Sequence, residues 1–318
     1  MKFAAYLGKR FTRALLLLVG VSILSFVLTE MAPGSFFDEM RLNPQISPET
    51  LATLRQQHGL NDSLPVRYGR WLRSVAHGDL GYSFAYNSPV GPLLAVRARN
   101  TLLLTIPAML IAWGLAIPLG VWSASHQGRW KDQVISSGTS LLVAVPDLLL
   151  ALGALIFAVR TRYFPIGGME AIGGTDTRDL AWHLVLPVLI LVLSSLPLLV
   201  RHVRASMLEI VGAPFIQAAR GHGIPRLQLL FRHALPAAAN PLTSLMGFSI
   251  ATLLSGSLLI EVIMSWPGIG PLLLEAVLGR DLYVVIGSVM CSTVLLVGGM
   301  FVADLLLYSL DPRIRGQN

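Results

Sequence analysis

Six long apolar runs decide what this chain can fold into. They occupy residues 14–28, 101–124, 134–159, 181–200, 237–260 and 284–310. A helix of about 20 apolar residues crosses the hydrocarbon core of a bilayer. Inside lipid, every backbone polar group must be hydrogen-bonded, and a helix achieves this within its own segment. The runs therefore predict an all-α polytopic membrane protein with six transmembrane helices.

The overall composition supports a membrane protein and argues against a soluble enzyme. Of 318 residues, 54% are hydrophobic and 13% are charged, whereas soluble chains carry about 25% charged residues. The first run follows four basic residues, as it does in a cleavable signal peptide. No A-x-A cleavage pattern follows that run, so we expect it to remain as the first span.

The basic residues indicate the orientation of the spans. With the N-terminus inside, the inner segments hold thirteen lysines and arginines and the short outer loops hold four. Basic residues collect on the cytoplasmic side of membrane proteins. We therefore predict that both termini are cytoplasmic. The net charge of +7 then reflects this distribution, and no nucleic-acid partner is expected.

The long outer segment 33–100 predicts a small helical lid between spans one and two. Its first predicted helix begins at Ser47-Pro48-Glu49 and ends at Gly59, since a hydroxyl cap followed by proline is typical of a helix start. A second helix ends before Gly78 and carries an apolar stripe with helical spacing, formed by Tyr68, Trp71, Leu72 and Val75. The stripe requires a cover, either the outer ends of the spans or a partner.

The sequence lacks the motifs of nucleotide-binding proteins, zinc metalloproteases and serine hydrolases. It contains no G-x-x-x-x-G-K-[ST] phosphate loop, no H-E-x-x-H and no G-x-S-x-G, which nucleotide-binding proteins, metalloproteases and serine hydrolases use. Its seven histidines are scattered, and Cys291 is the only cysteine. We therefore predict no catalytic residues, no metal site, no cofactor and no enzymatic activity in this chain.

The segment 201–236 between spans four and five is patterned for structure. Pro214 and Gly223 can open and close a short helix, and Pro225 can open a second one. The second helix would bury one face, formed by Leu227, Leu230, Phe231, Ala234 and Leu235. Two interpretations remain open from the spacing: Phe215 anchors the loop in a partner's pocket, or the loop rests on lipid headgroups.

Two acidic residues are candidates for a transport pathway. Asp147 lies near the middle of span three, where an ionised carboxylate is costly unless it faces water or a partner. We expect it to contact the amino end of the cargo; the alternative is a structural hydrogen bond between helices. Glu261 lies at the end of span five. It is a second candidate for the pathway, and a structural role is again the alternative.

The loop resembles the conserved cytoplasmic loop of binding-protein-dependent ABC import permeases, E-A-A-x3-G-x9-I-x-L-P. The matching positions are Gln217-Ala218-Ala219, Gly223 and Leu235-Pro236. Two positions depart from the signature: Gln217 replaces its glutamate and His233 replaces its isoleucine.

The resemblance extends along the whole chain, which is similar to the first permease subunit of dipeptide, oligopeptide and nickel importers. Six further strings carry it, namely Met31-Ala32-Pro33-Gly34, Gly78-Asp79-Leu80-Gly81-Tyr82-Ser83, Ile117-Pro118-Leu119-Gly120, Glu261 with Ser265-Trp266-Pro267-Gly268-Ile269-Gly270, Arg280-Asp281 and Leu310-Asp311-Pro312-Arg313-Ile314-Arg315.

The resemblance implies an importer built from several chains in a bacterial or archaeal inner membrane. A second permease would pair with this one, two cytoplasmic ATP-binding subunits would hydrolyse ATP, and an extracytoplasmic binding protein would deliver cargo to the lid. The coupling loop would contact an ATPase through residues at the signature and beside it, namely Phe215, Gln217, Ala218, Ala219, Arg220, Gly223, Leu235 and Pro236.

These observations divide the chain into three parts. Residues 1–32 are the cytoplasmic N-terminus and first span, 33–100 are the periplasmic lid, and 101–318 are a five-helix permease core containing the coupling loop 201–236. Two other functions stay open at this point. A secondary carrier would work without ATPase partners and usually shows inverted repeats, and a membrane-embedded enzyme would need polar residues converging at one depth. The cargo is not determined by the sequence.

Overall fold

A computed structural model describes residues 2–31, 49, 53, 62–170 and 176–310. Five described helices are long and apolar enough to span a membrane, or six spans if one bent pair counts as one. This confirms the predicted all-α polytopic fold. The described elements are α1 (Lys2–Met31), α2 (Leu64–Ala76), β1 (Tyr82–Ser83), β2 (Ser88–Pro89), α3 (Val90–Ser125), α4 (Trp130–Ala144), α5 (Asp147–Thr161), α6 (Thr177–Val211), α7 (Pro214–Gly221), α8 (Arg226–Gln228), a π-helical segment (Leu229–Ala234), α9 (Leu235–Ala237), α10 (Ala239–Ile263), α11 (Ile269–Leu278) and α12 (Leu282–Leu310).

The third predicted span is not one straight helix. It is divided into α4 and α5, whose axes meet at 92°. Val145 is extended (φ −92°, ψ 117°) because the ring of Pro146 disfavours helical geometry in the residue before it. The Pro146 carbonyl accepts hydrogen bonds from the N–H groups of Leu149 and Leu150, so it is used to begin α5.

The chain forms two compact units. The first comprises residues 1–100 and 267–295, and the second comprises residues 101–266 and 296–318. Each unit has its own apolar core.

In the first unit, α2 packs against α1. The Phe26 ring of α1 meets Tyr68 edge to face, with centroids 5.5 Å apart, and it lies 6.2 Å from Trp71. Ile286 of α12 completes this cluster. The helix predicted from the apolar stripe is therefore present, and α1 and α12 cover most of the stripe, although Leu72 stays exposed.

A two-stranded hairpin is held to the C-terminal part of the same unit. Asp281 accepts hydrogen bonds from the Ser83 hydroxyl (2.7 Å) and the Ala85 N–H (3.2 Å). In the turn, the Tyr86 hydroxyl donates to Glu275. Burial and this carboxylate raise the pKa of Tyr86 to about 12, so the phenol keeps its proton at physiological pH. The Gly-Asp-Leu-Gly-Tyr-Ser and Arg-Asp strings are thus structural partners.

The second unit contains the larger core, in which α6 is central. α6 packs against α4, α5 and α10. At Gly120, in the Ile-Pro-Leu-Gly string of α3, a Cβ atom would lie 2.6 Å from side-chain carbons of Val203. Glycine is required there because the α3 backbone lies against α6.

Several sequence predictions lie outside the described residues. They are the helix expected to begin at Ser47 and end at Gly59, of which the structure describes only Glu49 and Thr53, most of the Met-Ala-Pro-Gly string after span one, and the chain beyond Leu310.

Candidate functional site

Helix α7 is a short, firmly ended helix in the second unit. Ala213 is extended (φ −67°, ψ 145°) and Pro214 occupies the first helical position, where its missing N–H costs nothing. At the other end, the His222 N–H donates to the Ala218 carbonyl, 3.1 Å away. Gly223 follows with φ +76°, a left-handed conformation that favours glycine. The start and stop predicted from Pro214 and Gly223 are present.

The two faces of α7 differ in exposure. Ile216 is 1% exposed and belongs to the core of the second unit. Phe215 on the other face is 52% exposed, and Gln217, Ala218 and Arg220 are exposed as well, with Ala219 half-buried. The helix therefore presents an aromatic ring, small residues and a cation outward, while Ile216 holds it in place. The sequence analysis missed Ile216.

The segment after α7 is helical but does not bury the predicted face. Residues 229–234 form a π-helix, in which hydrogen bonds run from i to i+5 and the turn is wider than in an α-helix. Leu229, Leu230 and Ala234 are buried, whereas Leu227 is 72% exposed and Phe231 is 45% exposed. The predicted burial of Leu227 and Phe231 is wrong because the α-helical period does not apply through this turn.

The Leu-Pro pair of the loop marks the return to α-helical geometry. Leu235 and Pro236 begin α9 directly after the π-helix. Leu235 is half-buried and Pro236 is exposed. Since proline has no N–H to donate, Pro236 suits a position where one hydrogen-bonding register ends and another begins.

An ion pair between Asp132 of α4 and Arg204 of α6 connects the two helices near the end of α6 that leads into this loop. Arg204 donates from Nε and Nη2 to the two carboxylate oxygens of Asp132, both at 2.8 Å. Asp132 also accepts from the Ser123 hydroxyl and from the Gly128 N–H. One carboxylate on α4 is therefore hydrogen-bonded to three other segments: α3, α6 and the turn between α3 and α4. The sequence analysis did not identify this pair.

Asp147 lines a cavity of about 110 Å³ between α5, α6 and α10. Asp147 is exposed in the first turn of α5, where an acidic side chain also suits the positive end of the helix dipole. The cavity carries hydroxyls from Ser194, Ser195, Ser249 and Thr252. The Ser194 hydroxyl is buried and lacks a hydrogen-bond partner among the described residues.

The depth of this cavity follows from the geometry of α6. A helix rises 1.5 Å per residue, so Ser194 lies about 18 Å along α6 from Trp182. Trp182 is 48% exposed near the start of the helix, and tryptophan favours the membrane interface. We therefore expect the cavity to lie near the middle of a bilayer about 40 Å thick with its headgroups.

Glu261 is placed apart from Asp147. It is fully buried in the last turn of α10, and it is not among the residues that line the cavity. Its carbonyl accepts the Trp266 N–H at 2.8 Å, and Trp266 is itself fully buried. The two acidic candidates thus occupy different surroundings. The described residues also contain no group of three or more histidine, cysteine or acidic residues able to hold a metal ion.

Two family profiles together cover almost the whole chain. Residues 116–316 match the family described as binding-protein-dependent transport system inner membrane component. Residues 3–105 match the N-terminal family of the same transport-system membrane components.

Curated relatives match along nearly their full length. The chain is 33% identical over 314 residues to the oligopeptide transport system permease protein AppB of Bacillus subtilis, covering 98% of this chain and 99% of AppB. It is 31% identical to the dipeptide transport system permease protein DppB of Escherichia coli, covering 93% and 94% of the two chains.

A solved structure shares the fold. A chain from inward-facing structures of the MetNI methionine ABC transporter superposes with a TM-score of 0.58 at 18% identity. The match covers 69% of this chain and 96% of that one.

Proposed function

Because this chain belongs to the family of binding-protein-dependent transport system inner membrane components, we propose that it carries peptides or related small solutes as half of the pathway of an ATP-driven importer. The chain is a multi-pass permease subunit of such a system. The peptide cargo is inferred from the relatives named as oligopeptide and dipeptide permeases. A second, similar permease completes the pathway, and an extracytoplasmic binding protein delivers the cargo.

The observation that carries this proposal is the two-sided helix α7. Its inner face is fixed in the core through Ile216, and on its outer face about half of the Phe215 side chain is exposed. A large aromatic ring on a fixed helix is a suitable anchor in a partner's cleft. We assign that cleft to a cytoplasmic ATP-binding subunit, so ATP is hydrolysed on the partners and this chain is not an enzyme.

The loop transmits force because it is packed to the long helices on both sides. Ile216, Leu229 and Ala234 share one core with Val203 and Met207 of α6. Core side chains of this kind are close-packed and transmit displacement. A movement of α7 by the ATPase therefore reaches α6, and α6 lines the cavity that contains Asp147.

We propose that this cavity contributes to the pathway and that Asp147 receives the amino end of the cargo. The carboxylate faces hydroxyls at mid-membrane depth, and the Ser194 hydroxyl has no partner among described residues. A cationic amino group would satisfy both. Glu261, buried in the core, is proposed to support the pathway wall.

The orientation completes the proposal. We place both termini and the coupling loop in the cytoplasm of a bacterial or archaeal cell, since thirteen basic residues of the short segments would then face inward. The lid would face the binding protein.

The test is co-purification of the assembled importer from its native membranes in mild detergent. We expect a second permease and two ATPase subunits to elute with the tagged chain. Phe215→Ala should lower the recovery of the ATPases at least several-fold, and Gly223→Pro should abolish it, because proline cannot adopt the positive φ found at position 223.

The matched control is Phe157→Ala, which removes a ring of similar exposure (50%) from α5, away from the loop. It should leave ATPase recovery unchanged. Purification of this chain alone, transporting solute in liposomes without ATPases, would refute the proposal and support a secondary carrier.

A further inference from the structure

A second, open cavity of about 490 Å³ lies beside the coupling loop. One wall is the end of α3 and the turn that follows it, and the other is the end of α6, the last turn of α7 and the residues that follow α7. Three arginines line it, Arg129, Arg220 and Arg226, together with His126. No acidic residue lines it, and none of the three arginines forms an ion pair within the part of the chain that the structure describes. The cavity is therefore a concentration of positive charge.

The two walls of this cavity are tied together. The Arg226 guanidinium contacts the Ser125 carbonyl oxygen, which joins the loop to the end of α3. A guanidinium has five N–H donors, so Arg226 retains donors for an anion. Ile224 and Val211 add an apolar floor.

The surroundings place the cavity at the headgroup layer. Trp122 and Trp130, which flank the turn, are 50% and 68% exposed, and the Lys131 ammonium lies over both rings at 5.4 and 5.8 Å. Exposed tryptophan with lysine is typical of a membrane interface. Along α6, Val211 lies about 43 Å from Trp182 at 1.5 Å per residue. That distance equals the thickness of a bilayer with its headgroups.

We propose that this cavity binds the phosphate of an anionic phospholipid, with Arg129 and Arg226 as its donors and the glycerol region against Ile224 and Val211. Guanidinium groups match phosphate geometry through paired donors, and basic pockets beside membrane helices favour anionic headgroups. The lipid would bridge α3 and the coupling loop, and would stabilise the position from which α7 acts. This inference goes beyond the proposed function: the lipid site depends on the membrane location of the chain, and only its effect on α7 rests on the proposed coupling role.

The test measures retained lipid on the purified, assembled complex by native mass spectrometry. The probes are phosphatidylglycerol, phosphatidylcholine and inorganic phosphate. Wild type should retain phosphatidylglycerol and not phosphatidylcholine. The double variant Arg129→Gln with Arg226→Gln should weaken that retention by about fivefold for each arginine removed. The double variant Arg129→Lys with Arg226→Lys keeps both charges and should retain most of the lipid that wild type retains.

The matched control is Lys9→Gln with Arg13→Gln, which removes two cations from the basic N-terminal segment and should retain phosphatidylglycerol as wild type does. If the double glutamine variant does not assemble, Arg129→Gln alone is used, since Arg129 is an exposed turn residue. Retention that is unchanged in the pocket variants, or lost equally in the control, would overturn the proposal.

Two further results would assign the cavity to another ligand and also overturn it. If inorganic phosphate displaces the lipid and is itself retained on the complex, the cavity is a site for free phosphate. Lipid that binds only after the ATPases are removed would show that an acidic surface of the partner occupies the cavity. Lipid retention is measured without turnover, so its outcome does not depend on which solute the complex transports.

Discussion

At Gly120 the absence of a side chain allows α3 to lie against α6. A Cβ atom at this position would be 2.6 Å from Val203, well inside van der Waals contact. We therefore expect Gly120→Ala to destabilise the chain by about 1–3 kcal/mol, the usual cost of overpacking. A lower apparent melting temperature of the purified complex would show it.

Gly114 provides the matched comparison on the same helix. A Cβ atom at Gly114 meets nothing within 4 Å, and alanine favours helix over glycine by about 1 kcal/mol. Gly114→Ala should therefore be neutral or slightly stabilising. Equal effects of the two substitutions would argue against the close approach at Gly120.

A second residue-scale prediction concerns Asp147. Asp147→Asn removes the charge but keeps the size of the side chain, so it should weaken apparent affinity for peptides with a free amino terminus about tenfold, as for loss of a charged hydrogen bond. Peptides with an acetylated amino terminus should be unaffected. Uptake assays in cells with the assembled importer would measure both.

Asp176→Asn serves as the control because Asp176 is an exposed residue before α6 and away from the cavity. It should leave uptake unchanged. If cells with the Asp147→Asn variant take up both kinds of peptide as wild-type cells do, Asp147 has a structural role at the start of α5.

At the scale of elements, the Asp132–Arg204 pair joins α4 to α6. Asp132 is 6% exposed and Arg204 is 28% exposed at the side chain. Breaking a buried pair costs several kcal/mol because it leaves an uncompensated charge; the partial exposure of Arg204 lowers this to about 2 kcal/mol. Each single alanine variant should be destabilised, and the double variant should be less destabilised than their sum.

The control pair links the same two helices at the surface. The Arg201 guanidinium donates to the Ser140 hydroxyl at 2.9 Å, with both residues exposed. Exposed pairs contribute little, so alanine variants at these positions should give small, additive changes. Additivity at Asp132 and Arg204 as well would mean that the buried pair contributes no coupling.

The elements also show which features the sequence could predict. The existence of the spans and the ends of α7 follow from local patterns: apolar length, Pro214 and Gly223. The π-helix at 229–234 depends on packing against the core and leaves no distinct sequence period, so α-helical spacing does not predict that Leu227 and Phe231 are exposed. The Asp132–Arg204 pair joins residues far apart in sequence, and spacing alone does not predict such contacts.

For the whole molecule, the orientation in the membrane is directly testable. In a Cys291→Ser background, an impermeant maleimide should label Arg178→Cys in intact cells. It should label Gln127→Cys only after permeabilisation, because the proposed positive-inside orientation has that turn in the cytoplasm. Both positions are exposed. The reverse pattern of labelling would invert the proposed topology.

The 35-residue length of α6 limits how subunits of related transporters can be exchanged. One inserted residue would turn everything beyond it by about 100° and shift it by 1.5 Å. Such an insertion would turn Phe215 away from the proposed ATPase cleft even if every side chain of α7 were kept. Chimeric transporters should therefore tolerate many substitutions along α6 but no single-residue insertion or deletion.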